Sequence, residues 1–162
     1  VEHLWSPWRN RHVARSPENR DSVFTDIAAR GTDEEDLVLY RGSTVFVLLN
    51  LYPYNNGHLL VVPYRKVTQW SDLTAEEQQE MTHLMGESMR WLSLALQPDG
   101  FNVGMNIGPG AGAGIPGHLH MHVVPRWTAD TNFMPVTAHT KVLPESLQDT
   151  WRKLRAVAGQ PG

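Results

Sequence analysis

The chain has 162 residues, 41% of them hydrophobic and 19% charged, with a net charge of −3 when histidine is neutral. This balance describes a globular chain with a sizeable core and excludes a disordered one. No dense lysine/arginine run is present, which argues against nucleic acid or a membrane surface as partner. Without cysteine there is no disulfide and no thiolate zinc site, so a cytoplasmic location is expected. No stretch resembles a signal peptide or a spanning helix; the longest apolar runs are strand-sized.

In chain order, the pattern predicts a single α+β domain over 1–162: an N-terminal arm and loop over 1–35, a core over 36–127 and a C-terminal extension over 128–162. Residues 1–15 carry Trp5, Pro7, Trp8, Arg9, Arg11 and Arg15 and read as an arm anchored by its tryptophans. Residues 16–35 are polar and acidic and read as loop with some local structure. Leu37–Tyr40 and Thr44–Asn50 read as strands around a turn at Arg41-Gly42-Ser43. Tyr52-Pro-Tyr-Asn-Asn-Gly57 is turn chemistry, its Asn-Gly favouring positive φ, and His58–Val62 reads as a third strand closed by Pro63.

The clearest helix begins at Thr74-Ala-Glu-Glu77, which has the form of a capping box. Met81, Leu84, Met85, Ser88, Leu92 and Ala95 trace one face of it, and Pro98-Asp-Gly100 ends it. That methionine-rich stripe reads as core, and His83 lies off it. Phe101–Ile107 and His118–Arg126 read as further strands, 127–143 as irregular, and Pro144–Val157 as a terminal helix.

Three of the chain's eight histidines, His118, His120 and His122, alternate with Leu119, Met121 and Val123. Period two is the mark of a half-buried strand, so the three imidazoles share one face. A strand rises about 3.3 Å per residue, placing the first and third Cα atoms about 13 Å apart. One metal held by all three is therefore hard to close, although two could share a metal with a ligand from elsewhere. The other chemistry is a catalytic row, in which a neutral imidazole offers its lone pair to an electrophile without a separate base. The plain alternative is a polar strand face; the catalytic row is the preferred reading.

Asn106-Ile-Gly-Pro-Gly-Ala-Gly-Ala-Gly-Ile-Pro-Gly117 precedes the histidines. Its five glycines permit positive φ and close approach of backbone amides to an anion. It lacks a P-loop ending and the dinucleotide-fingerprint spacing. Alone it is a flexible hairpin loop; directly before three histidines it frames a phosphate.

His118-Leu-His-Met-His-Val-Val124 matches His-φ-His-φ-His-φ-φ and resembles the motif of the histidine triad superfamily of nucleotide hydrolases and transferases. Leu49-Asn-Leu-Tyr-Pro-Tyr-Asn-Asn-Gly-His-Leu-Leu-Val-Val-Pro-Tyr-Arg65 is similar to the superfamily's preceding hairpin, and Leu4-Trp-Ser-Pro-Trp-Arg9 to the start of many bacterial members. The likeness runs from about Leu4 to Trp127, and its shared blocks resemble bacterial proteins of the diadenosine tetraphosphate phosphorylase kind. The resemblance implies a HIT-like fold: about five antiparallel strands, one long helix and a C-terminal helix, paired into a homodimer. It also implies cleavage of a dinucleoside polyphosphate through a covalent nucleotidyl-histidine, with inorganic phosphate or water as acceptor. His120 would be the nucleophile, His122 would bond the phosphate, and His118 would orient the site or handle the leaving-group proton. His58 would support the triad, Asn50 would contact the ribose, and Asn106 with Gly112, Ala113 and Gly114 would line the phosphate path. No metal ligand and no covalent cofactor are implied; magnesium would accompany the polyphosphate, since no carboxylate cluster stands out to hold it. Arg126 and Trp127 read as surface and packing residues.

Two adjacent positions depart from the pattern. Hydrolytic members often carry Gln followed by Ser or Thr where this chain has Ala113 and Gly114, and phosphorylase-like members carry Gly-Ser. Loss of a bulky amide leaves room for phosphate as acceptor, and loss of the hydroxyl removes one anchor.

Overall fold

A computed structural model describes residues 22–130 and 144–159. The tryptophan arm of residues 1–15 and the irregular stretch over 131–143 lie outside the described residues. Five strands, β1 (Val38–Arg41), β2 (Val45–Leu49), β3 (Leu59–Pro63), β4 (Gly100–Met105) and β5 (Met121–Arg126), form one sheet in the order β1-β2-β3-β5-β4. Every neighbouring pair is antiparallel. β2 and β3 are buried along their whole length, which explains their unbroken apolar runs Val-Phe-Val-Leu-Leu and Leu-Leu-Val-Val-Pro.

Among the described residues three helices cover the sheet: α1 (Val23–Arg30), α2 (Ala75–Leu96) and α3 (Leu147–Arg155). α2 opens as its sequence predicts, with Glu77 N donating to Thr74 Oγ1 and Thr74 N donating to the Glu77 carboxylate. Glu77 and Ser88 are buried on it, as are the apolar Met81, Leu84, Trp91 and Leu92. These apolar residues pack with Leu39, Val47, Leu59, Val61 and Val123 of the sheet and with Trp151 and Leu154 of α3. A smaller cluster on the other face joins Phe24 and Ile27 of α1 to Val38, Phe46, Leu48, Leu60 and Val62.

One expectation gains detail here and one is corrected. Residues 16–35 read as loop with some local structure, and that local structure is a helix over Val23–Arg30, between N-cap Ser22 and a left-handed Gly31 at φ 70°. The strand expected over His118–Arg126 begins at Met121, and it is buried on both faces, not one. α1 is the reason: its Phe24 covers the histidine side, while Leu119, Met121 and Val123 enter the main core.

The hairpin between β2 and β3 depends on Gly57. Its φ of +76° suits glycine, and a Cβ there would stand 2.6 Å from Leu96 Cδ1 and 3.0 Å from Leu92 Cδ2. α2 thus seats its apolar end on the backbone one residue before His58. Gly57→Ala is expected to cost about 1–3 kcal/mol of stability, read as a lower urea midpoint. A midpoint equal to wild type would show that the hairpin does not rest on this approach.

Candidate active site

Strand register assembles the histidines. His122 on β5 faces Leu60 of β3 on one side and Gly104 of β4 on the other. Opposed residues share a face, and alternation puts His58, two before Leu60, and Asn106, two after Gly104, on that same face as diagonal neighbours of His122. His58, His118, His120 and His122 are 0%, 1%, 6% and 9% exposed. Phe24 stands edge-on to His118 at 5.4 Å between ring centroids and tilted against His120 at 5.2 Å. Tyr54 stacks near-parallel to His122 at 5.5 Å and lies 4.5 Å from the His58 ring.

Hydrogen bonds settle where each proton sits. Asn50 Oδ1 accepts from Tyr52 N at 3.0 Å, which turns Asn50 Nδ2 toward His58 Nδ1 at 3.3 Å. Tyr54 N, a donor that cannot change role, reaches the same Nδ1 at 3.0 Å. His58 Nδ1 must therefore be a lone pair, and its proton lies on Nε2. That Nε2–H donates to His122 Nδ1 at 2.9 Å, which places the His122 proton on Nε2, 3.4 Å from Asn106 Nδ2. Two donors thus stand side by side.

The other two imidazoles are set by carbonyls, which only accept. His120 Nδ1 donates to His118 O at 2.8 Å, leaving the lone pair on His120 Nε2. His118 Nε2 donates to Pro63 O at 2.8 Å, and its Nδ1 is buried with no hydrogen-bond partner among the described residues. Burial pushes the His120 imidazole below its ordinary pKa, against the opposing bond to His118 O. His118 is lowered as well, first by burial and further by His120 and Lys66, with the Pro63 carbonyl opposing. Both rings are neutral at neutral pH.

Of the residues singled out in the sequence, the structure brings His58, His118, His120, His122, Asn50 and Asn106 together. Gly112, Ala113 and Gly114 stay in the loop leading to His118, where Gly108 and Gly112 take φ of 84° and 75° around a 3-10 turn at Pro109–Ala111. Ile115, one residue on, packs into the same cluster as Phe24. Arg126 is a surface residue bonded to Asp130 and Asn102. Among the described residues, no group of three or more His, Asp or Glu side chains could hold a metal ion. Phe24, Tyr54 and Pro63 are the contributors not singled out in the sequence. For Phe24 the signal was present: Ser22 as cap, Phe24 and Ile27 at helical spacing, and Gly31 as stop.

Residues 32–129 match the HIT domain family model. The chain belongs to the HIT family. Across 95% of its length this HIT protein is 44% identical to the AP-4-A phosphorylase of Mycobacterium tuberculosis, spanning 83% of that protein. Over 91 residues it is 37% identical to the bis(5'-adenosyl)-triphosphatase of Saccharomyces cerevisiae, covering 56% of this chain and 44% of that one. A zinc-bound histidine triad family protein from Mycobacterium smegmatis superposes with a TM-score of 0.68 at 24% identity, over 84% of this chain and 91% of that one. A histidine triad nucleotide-binding protein from Sulfolobus tokodaii also gives 0.68, at 23% identity, over 83% and 90%. At these identities the two structures speak to the fold alone, and the HIT-like fold expected from the sequence is the one found.

The lowered imidazoles carry a consequence for stability. His118 and His120 have folded values below the ordinary 6.5, so the unfolded chain binds more protons in mild acid. Their neutral burial is fully favourable above about pH 6.5 and turns costly as pH falls below that. The urea midpoint is expected to drop between about pH 7 and pH 5, above the range where carboxylates protonate. An unchanged midpoint across that window would contradict neutral burial of the pair.

Proposed function

We propose that this HIT protein cleaves a dinucleoside polyphosphate of the diadenosine tetraphosphate type by phosphorolysis, through a nucleotidyl intermediate on His120. The observation that carries this reading is the division of labour in the imidazole row. His120 keeps its Nε2 lone pair because His118 O holds its Nδ1 proton, while His122 presents an Nε2–H beside Asn106. One ring is thus a nucleophile and its neighbour a donor to phosphate. The kinship with the AP-4-A phosphorylase of Mycobacterium tuberculosis supports the substrate class.

His120 Nε2 attacks the α-phosphorus of the bound dinucleotide. A P–N bond forms as the P–O bond to the leaving nucleoside polyphosphate breaks, and the positive charge arising on the ring is met by His118 O at Nδ1. A phosphate oxygen between His122 Nε2 and Asn106 Nδ2 would accept from both, stabilising charge as it develops. Inorganic phosphate then attacks the intermediate, restoring His120 and releasing a nucleoside diphosphate. His118 orients the site: its ring is fixed by Pro63 O and its carbonyl fixes His120. Asn50, half-buried and already turned by Tyr52 N, would meet a ribose hydroxyl.

Space for the acceptor lies along the glycine loop and β4. A Cβ added at Gly104, opposite His122, or at Gly112 or Gly114 would meet nothing within 4 Å. Ala113 carries only a methyl, so at that position the loop holds no bulky amide that would take up room. Magnesium would enter with the polyphosphate. The exposed edge strand β4, with Val103 42% exposed, offers the surface for the homodimer. A chain without cysteine suits the cytoplasm, where we place the enzyme; among the described residues no helix is long and apolar enough to cross a membrane.

Product analysis on diadenosine tetraphosphate tests this reading. ADP plus ATP, formed only when phosphate is present, is the expected result, with His120→Ala reducing kcat by about 10³-fold or more. AMP plus ATP regardless of phosphate would make the protein a hydrolase and overturn the acceptor assignment. Undiminished turnover by His120→Ala would overturn the covalent mechanism.

A further inference from the structure

α3 lies wholly outside residues 32–129, the segment that matches the HIT domain, yet it is bonded to the hairpin that carries His58. Asn55 and Asn56 are buried, at 9% and 7% exposure. Asn55 Nδ2 donates to Pro125 O at 3.1 Å and to Asp130 Oδ2 at 2.8 Å, tying the hairpin to the end of β5 and the turn after it. Asn56 turns the other way. Its Nδ2 donates to Glu145 Oε1 at 3.1 Å, and its Oδ1 lies 3.0 Å from Thr150 Oγ1.

Thr150 is fully buried on α3, and its hydroxyl is also 2.9 Å from Glu145 Oε1. Burial raises the Glu145 carboxyl, but bonds from Lys153, Asn56 and Thr150 outweigh that and hold it ionised. α3 is itself anchored: Trp151 Nε1 donates to Val38 O at 2.9 Å, and Leu154 is fully buried in the main core. Gly57 follows, pressed against Leu92 and Leu96 of α2. Three separate elements therefore fix the backbone in the three residues before His58.

We infer that α3, through Thr150 and Glu145 acting on Asn56, is a positioning element of the active site, holding His58 where its Nε2–H meets His122. The inference rests on the functional reading above for its kinetic consequence only. Between Asn50 and His58 the loop has few backbone bonds of its own: Asn50 N to His58 O at 2.8 Å and His58 N to Asn55 O at 3.2 Å. Leu51, Tyr52 and Tyr54 are exposed along it. Such a loop keeps a 2.9 Å bond between two imidazoles only if its base is held from outside, and displacements of about 1 Å are enough to cost about 10²-fold in rate. Asn56, Thr150, Glu145 and α3 itself touch no reacting group; they act through His58.

The test is Thr150→Val, which keeps the shape and removes the hydroxyl, with Thr150→Ser restoring it. kcat is expected to fall about tenfold while KM stays within about twofold, and Ser is expected to recover most of the loss. The buried His58 Nε2–H gives a second readout: its downfield proton signal should exchange faster with solvent in Thr150→Val. Met81→Ala, a core truncation about 16 Å along α2 from Leu92, serves as the destabilised control. It should keep kcat within about twofold of wild type at a temperature where all variants are folded. Where Thr150→Val does not fold, Glu145→Ala, at the edge of the cluster, should show the same direction in both readouts. Wild-type kcat and an unchanged proton signal in the variant, or a loss no larger than that of Met81→Ala, would overturn the inference. A wild type that turns over no dinucleoside polyphosphate would sink the functional reading alone; the proton signal would still decide the role of α3.

Discussion

The arrangement hangs on one hydrogen bond from a group that cannot titrate or rotate away: Tyr54 N–H to His58 Nδ1. A neutral imidazole has one donor and one acceptor nitrogen, so naming one names the other. From Tyr54 the choice passes through His58 to His122 and ends in an N–H on His122 Nε2, beside Asn106 Nδ2. The same logic runs independently from Pro63 O through His118 and from His118 O to His120, and there it ends in a lone pair. Backbone atoms thus decide which ring nitrogen keeps a lone pair and which carries a proton.

Burial gives this arrangement its chemical force and its cost. A water-exposed imidazole would share its lone pair with solvent and with protons in mild acid. Phe24 on one side of the row and Tyr54 on the other remove much of that solvent. His118 and His120 are kept neutral by desolvation, and hydrogen bonds in the row are strengthened in the same low-dielectric setting. His118 Nδ1, without a partner among the described residues, belongs to this cost: burying such a polar atom is tolerated where the site, not the core, sets the requirement.

Much of the fold was legible in the sequence because it depends on local chemistry. Five apolar runs with turn residues between them gave the sheet, and the Thr74/Glu77 pair with its apolar stripe gave α2. Alternation placed three imidazoles on one face, and similarity of the blocks around Asn50, His58 and Asn106 placed their partners. What was not legible depends on contacts between residues far apart. α1 has eight residues and two buried anchors amid acidic neighbours, so its cover over the triad becomes visible only once Phe24 meets His118 and His120. Asn55 and Asn56 look like turn residues, and Gly57 does take the positive φ that such a turn needs. Yet both amides are buried anchors, bonded to groups 70 and 89 positions away. Tautomers lie beyond sequence altogether, since they follow from which carbonyl or amide stands opposite each nitrogen.

Long-range ¹H–¹⁵N spectra of the imidazoles at neutral pH measure the central claim directly, because the two ring nitrogens separate by protonation state. The account predicts protons on Nε2 in His58, His118 and His122 and on Nδ1 in His120. A proton on Nε2 of His120, or on Nδ1 of His58, would contradict it.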